Sequence, residues 1–330
     1  MPYWTVYHTL LGGAINLPSE RVQTLFRAVV VAAILSAFFQ VTLGGVVRVT
    51  DSGLGCPDWP LCHGQIIPPF DTATLIEYSH RLSGSVLGLL VIATTALAWM
   101  RLRANRLVWY TSVAALVLVI VAGILGGITV LTELAWQYRL LHLAIAEILI
   151  ACLIVAAIAG WNPYSPEPHA NSEQADSLKP LIIASLVGAF VLILSGSYMV
   201  GEGYGTSCAT WPLCRGSLFP EGWAYTVHMG HRYIAAVVGI VILWTAWKAW
   251  ASAAPQSPVR MAGASLATAF AVQIVVGAFV IWNGFSADLK ATHLSLATLV
   301  WIGLVSLTAL IYSYRPASEF STAVFRQKAT

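Results

Sequence analysis

The residues of this chain that could do chemistry are histidines and cysteines, and they occur as two copies of one pattern. CPDWPLC (Cys56 to Cys62) returns as CATWPLC (Cys208 to Cys214), and His80-Arg81 returns as His231-Arg232. Gly126 returns as Gly277 and His142 as His293, and these two pairs and the His-Arg pair share one interval of 151 residues. Neutral imidazole ligates metals and is a normal axial ligand of haem iron. Polar groups inside hydrocarbon are costly and tend to mark function. Helix packing explains any one intramembrane histidine about as well, but it does not explain two that recur together at unchanged spacing. Each half is therefore expected to form a bis-histidine metal or haem site, with His80 and His142 in the first and His231 and His293 in the second.

Such sites need a membrane scaffold. About 58% of the residues are apolar and 9% charged, against roughly 25% charged in a soluble domain. Eight apolar runs can cross about 30 Å of hydrocarbon, at 25–47, 79–100, 108–131, 140–160, 180–200, 229–250, 261–282 and 292–312. They divide four and four, so both halves enter the bilayer in the same sense as parallel repeats. The expected fold is all-α, with two pseudo-symmetric parallel four-helix bundles at 25–160 and 180–314. A segment at 1–24 precedes them, a Pro-, Ser- and Asn-rich linker at 161–179 joins them, and a tail at 315–330 follows. His8 in the first segment is read as incidental and His169 in the linker as solvated. No small-residue cleavage site follows a short apolar core, so the first span is expected to stay as an anchor.

In an up-and-down bundle the second and fourth helices are diagonal, so His80 can face His142, and His231 can face His293, across a flat macrocycle. Gly44, Gly45, Gly123, Gly126 and Gly127 in the first half, with Gly196, Gly239 and Gly277 in the second, supply room for close approach. Helix packing alone accounts for them equally well.

With the N-terminus inside, eleven of the 17 Lys and Arg fall on the inner face. The positive-inside rule then puts both termini in the cytoplasm of a cell-membrane protein and both cysteine loops on the outer face. Disulfides persist there, and the expected bridges are Cys56–Cys62 and Cys208–Cys214. They either stiffen their loops or exchange electrons with a thiol-redox partner or the substrate. Zinc ligation is disfavoured by the spacing, and Cys152 in mid-span is an ordinary small buried residue. The formal charge of +3 shows no nucleic-acid patch.

Arg48, Arg81 and Arg232 lie at the histidine end and are candidates for pairing with haem propionates through charge-assisted hydrogen bonds; their plainer role is interfacial snorkelling. The halves also differ. Glu77 stands three residues before His80, where the second half has His228 before His231. A carboxylate there could move protons or could simply favour a helix start, and the histidine could support a ligand or act as a spare one. Glu147, deep in the fourth span, corresponds to Thr298 and is a second candidate. These asymmetries make the first half the reacting site and the second an electron-transfer or structural haem site.

The chain resembles the haem A synthase family, bacterial type with two cysteine pairs. The likeness is carried by GGVVRVTDSGLGCPDWPLCHGQIIPP (Gly44 to Pro69), EYSHR (Glu77 to Arg81), LLH (Leu140 to His142), CATWPLC, HMGHR (His228 to Arg232) and ATH (Ala291 to His293). It implies an oxidoreductase that converts a ring methyl of haem O to a formyl group through hydroxylated intermediates, for cytochrome c oxidase biogenesis. It further implies haem b on His231 and His293, substrate haem O at His80 and His142, and Glu77 as the catalytic carboxylate. Haem O would come from a haem O synthase, and electrons from a quinol or a thiol-redox protein. No family motif matches Glu147. Two rival readings are a b-type dihaem electron carrier and a haem transporter or chaperone. Carriers usually place haems on opposite sides of the membrane, whereas all four histidines here fall at one end.

Overall fold

The computed structural model describes residues 20–161 and 172–313, which form eight α-helices, the second continued by a π-helical turn at Ala98–Leu102. They are α1 (Glu20–Val49), α2 (Thr72–Leu97), α3 (Arg106–Leu131), α4 (Trp136–Trp161), α5 (Ser172–Gly201), α6 (Trp223–Ser252), α7 (Pro258–Trp282) and α8 (Ala287–Ser313). His8, His169 and the expected tail at 315–330 lie outside the described residues.

All eight helices are long and apolar enough to span a membrane. Only a helix satisfies its own backbone in hydrocarbon, so each apolar run folds as one. Large side chains turn outward, with Leu35 63% exposed, Leu89 68% and Ile240 70%, as a lipid-facing surface requires.

Helix ends are set by local chemistry. Asp71 caps α2 by accepting from the Thr74 N–H at 3.1 Å. Asn105 caps α3, and Ser257 caps α7 just before Pro258 at its first position, an arrangement that leaves few amide donors orphaned. Capping moves several helix starts well outside the apolar runs. α2 begins at Thr72 rather than near 79, and α5 begins at Ser172, inside the stretch expected to be linker. Hydropathy marks the part of a helix in hydrocarbon, and the polar turns beyond it remain helical. The histidines consequently sit two or more turns inside α2 and α6.

Within the first half α1 packs on α2, α2 on α3, α3 on α4 and α4 back on α1; α5 to α8 close in the same order. α2 and α4 both pack on α1 and α3 and hardly on each other, which leaves them diagonal. α4 and α8 are the most buried helices and pack on each other, while α1 also packs on α8. The fully buried Phe26, Ile150, Leu153, Leu304 and Leu307 therefore lie in one core shared by both halves.

Candidate functional site

α1 to α4 enclose a cavity of about 510 Å³, walled by His80, His142, Glu77, Arg81, Arg48 and Trp59 and bordered by Leu294 of α8 and Gly201 of α5. Sites for cofactors and drug-sized ligands measure about 300–1,000 Å³. The two first-half histidines thus share one space, as the diagonal arrangement predicts.

Every one of the four histidines rests on a glycine of the neighbouring helix. A Cβ added at Gly44 would lie 3.0 Å from His80 Cε1, and one at Gly126 would lie 3.5 Å from His142 Cε1. The second half repeats this, with 3.0 Å from Gly196 to His231 and 2.9 Å from Gly277 to His293. At Gly44, Gly196 and Gly277 a Cβ would crowd the ring, so these glycines fix where the imidazole stands, whereas at Gly126 it would make an ordinary contact. Gly127 does the same for the disulfide loop, because a Cβ there would meet the Trp59 indole at 2.7 Å.

The polar partners differ from ring to ring. His80 Nε2 lies 3.4 Å from Gln40 Nε2, while that amide donates to His80 O at 3.0 Å and Ser83 Oγ donates to Gln40 Oε1. His231 Nδ1 is 2.8 Å from Ser195 Oγ, and His293 Nε2 is 3.4 Å from Gln273 Nε2. Nδ1 of His80, His142 and His293 is buried without a partner. Buried polar atoms are rarely left so, and an orphaned ring nitrogen fits a site meant for another group.

Glu77 is 5% exposed, and its Oε1 accepts from Arg81 Nε at 3.0 Å. It lies inside α2, beyond the first turn, which Asp71 caps. Arg81 otherwise holds the first cysteine loop, donating to Cys56 O, Asp58 O and Leu61 O at 2.7–2.8 Å. Arg232 holds the second loop in the same way through Cys208 O, Thr210 O and Pro212 O. Both guanidiniums, candidates for propionates in the sequence, are thus largely occupied by loop carbonyls.

His228 replaces Glu77 as the arginine's partner. A guanidinium only donates, so the 3.2 Å contact from Arg232 Nη2 makes His228 Nε2 the acceptor. Nδ1 lies 3.1 Å from Tyr204 O, to which it can donate, and 3.4 Å from the Cys208 backbone N–H. With both nitrogens engaged, His228 is a loop-pinning residue here and has no nitrogen free for a metal.

Both disulfides, Cys56–Cys62 and Cys208–Cys214, are formed, with Cα separations of 4.6 and 5.0 Å. Each leads into a tight turn with two residues at positive φ, His63-Gly64 and Arg215-Gly216, the backbone of a two-residue hairpin. Asp58 accepts the N–H groups of His63 at 2.6 Å and Gly64 at 2.7 Å. These bonds, that of Gly64 foremost, hold the Asp58 carboxyl below the usual carboxylate range.

Glu147 lies outside the cavity wall. It is fully buried where α4 meets α8, with Oε1 accepting from Thr298 Oγ1 at 2.7 Å and its backbone oxygen accepting from Trp301 Nε1 at 2.8 Å.

Sequence reasoning passed over Gln40, Ser195 and Gln273, and also Arg139, which lines the cavity. The signal was available. Lone amides in apolar spans are as conspicuous as lone histidines, and Arg139 stands one turn before His142.

Fold and site together define a polytopic helical membrane protein with four intramembrane histidines set on glycines, of which His80 and His142 line one cavity. The chain belongs to the COX15-CtaA family, cytochrome oxidase assembly proteins, whose model matches residues 27–305. Among its relatives, the Heme A synthase of Exiguobacterium sibiricum is 29% identical over 287 residues, covering 84% of this chain and 94% of the relative. That of Exiguobacterium sp. AT1b is 27% identical, covering 84% and 89%. That of Alkalihalophilus pseudofirmus is 30% identical over 202 residues, covering 61% and 67%.

Proposed function

We propose that this chain is a haem A synthase, which oxidises a ring methyl of haem O to a formyl group for cytochrome oxidase assembly. The observation that carries the reading is the carboxylate of Glu77 in the wall of the cavity that holds His80 and His142, with a neutral histidine in its place in the second half. The first half is then the substrate site and the second half the site of a resident haem b on His231 and His293. When bound there, haem b supplies one-electron redox capacity.

Every other step falls to the chain itself. His80 and His142 orient the substrate across the cavity, and Gly44 fixes the height of the His80 ring. Arg81 holds Oε1 of Glu77, which leaves Oε2 to take a proton from, or return one to, the reacting substituent. Trp59, set against Gly127 by the first disulfide loop, helps close the cavity to water.

On this reading both termini face the cytoplasm of the cell membrane and the cysteine loops face outward, in keeping with the basic residues. The partners are a haem O synthase that delivers substrate and an electron donor, either a quinol or a thiol-redox protein that reaches the loops.

Acid extraction and chromatography of the bound haems test the proposal. Haem B together with haem O or A is the expected result. Two equivalents of haem B alone would replace the synthase by an electron carrier, and freely exchanging substoichiometric haem would replace it by a chaperone.

A further inference from the structure

Arg48 and Arg139 are two cations in one cavity with no anion beside them. Arg48 lies in the last turn of α1 and Arg139 in the first turns of α4, and both line the space that holds His80 and His142. Among the described residues neither guanidinium makes a hydrogen bond or an ion pair, and Arg139 Nε is buried without a partner. Of the two acids on the cavity wall, Glu77 is already paired with Arg81, and Asp51 is beyond ion-pair distance of both arginines. Arg139 also stands near the positive end of its helix dipole, where a cation is disfavoured. Two half-buried cations that line one cavity without a counter-ion are stabilised when a bound anion compensates them.

We propose that Arg48 and Arg139 form a receptor for two carboxylates on one edge of a flat, otherwise apolar ligand. Planar guanidinium forks match carboxylates bidentately, and the rest of the wall, rich in glycine and aliphatic residues, suits an apolar body. The inference deepens the proposed function and rests on it, for there the carboxylates are the two propionates of the substrate macrocycle. Of the three propionate candidates in the sequence it keeps Arg48, sets aside Arg81 and Arg232, which hold loop carbonyls, and adds Arg139, which the sequence reading did not single out. The positions corresponding to Arg48 and Arg139 in the second half are Val200 and Lys290, so the clamp belongs to the first half alone. Fixing one edge of the ligand restricts its rotation about the His80–His142 direction, so the same substituents meet Glu77 in each turnover.

The test titrates the detergent-solubilised full chain with iron protoporphyrin IX and with its dimethyl ester. The His80-dependent absorbance change is followed, with a His80→Ala sample as the subtraction. The wild type should prefer the diacid by roughly tenfold or more. Arg48→Gln/Arg139→Gln should abolish that preference, and Arg48→Lys/Arg139→Lys should restore part of it. An unchanged second-half low-spin spectrum reports that the variants are folded, and the comparison of diacid with diester on the wild type decides the matter even if the Gln pair misfolds. Equal binding of diacid and diester by the wild type overturns the clamp and leaves the proposed function standing. Absence of any His80-dependent binding removes both. Inorganic phosphate and phosphatidylglycerol vesicles form a further arm. Competition by either that requires both arginines would assign the site to a free anion or a lipid headgroup, and would overturn the proposal.

Discussion

Glu147 on α4 accepts a 2.7 Å hydrogen bond from Thr298 on α8, and these two residues occupy the same position in the two copies of the internal repeat. The helices that carry His142 and His293 therefore meet at equivalent points, and the carboxyl group ties one half to the other. Oε2 of Glu147 has no partner, so the bond to Thr298 is the one that holds the side chain. Thr298→Val is expected to lower stability by about 0.6–2 kcal/mol, read as a lower midpoint in thermal or detergent unfolding. Glu147→Gln, which retains an acceptor, should lower it less. If Thr298→Val unfolds at the wild-type midpoint, the contact is not a fastening between the halves.

Glu77 is buried in the cavity wall and joined to Arg81. Glu77→Gln keeps an acceptor for Arg81 and removes the proton-carrying group, so the loop should stay pinned while turnover falls about 10²-fold or more. Haem content and product are both read by chromatography. Normal product formation in this variant would make the acid structural.

With haem b held in the second half as proposed, His231→Ala and His293→Ala should each abolish its low-spin spectrum, since each removes one of two axial candidates. His80→Ala should leave that spectrum in place and lose substrate. An unaltered low-spin band in either second-half variant would reject the ligand assignment.

The glycine seats differ in tightness. A Cβ at Gly277 would come within 2.9 Å of the His293 ring, and one at Gly126 would be 3.5 Å from His142. Gly277→Ala is expected to displace its imidazole, perturb the haem spectrum and cost about 1–3 kcal/mol. Gly126→Ala makes an ordinary van der Waals contact and should be tolerated. Similar spectra and midpoints for the two variants would contradict the difference in space beside the two glycines.

Asp58 lies outside the spans, and the N–H groups of Gly64 and His63 depress its pKa. A group lowered on folding stabilises its surroundings above its unfolded value of about 3.9 and loses that contribution as pH falls through the lower folded value. Hydrogen exchange at the His63 and Gly64 amides, corrected for intrinsic rate, should stay slow from neutral pH to about 4 and quicken below it. Asp58→Asn should speed exchange of these amides at neutral pH. Protection unchanged in the variant would mean that the hairpin holds without the carboxylate.

Much of this protein was legible before any coordinates. Apolar runs announce spans because hydrocarbon leaves the backbone no other way to satisfy itself, and eight were found. Cysteines six apart in a short loop were expected to bridge, and both pairs do. The constant interval between His80 and His231 and between His142 and His293 fixes equal positions along corresponding helices, because rise per residue is a local property. Partnership across helices is not local. Which glycine seats which imidazole, that Arg81 and Arg232 hold loop carbonyls while Arg48 and Arg139 are left facing a cavity, and that Glu147 meets Thr298 between the halves all depend on how helices far apart in sequence rotate and pack. Spacing along a helix sets depth and face; only the packed bundle sets the neighbour that each face meets.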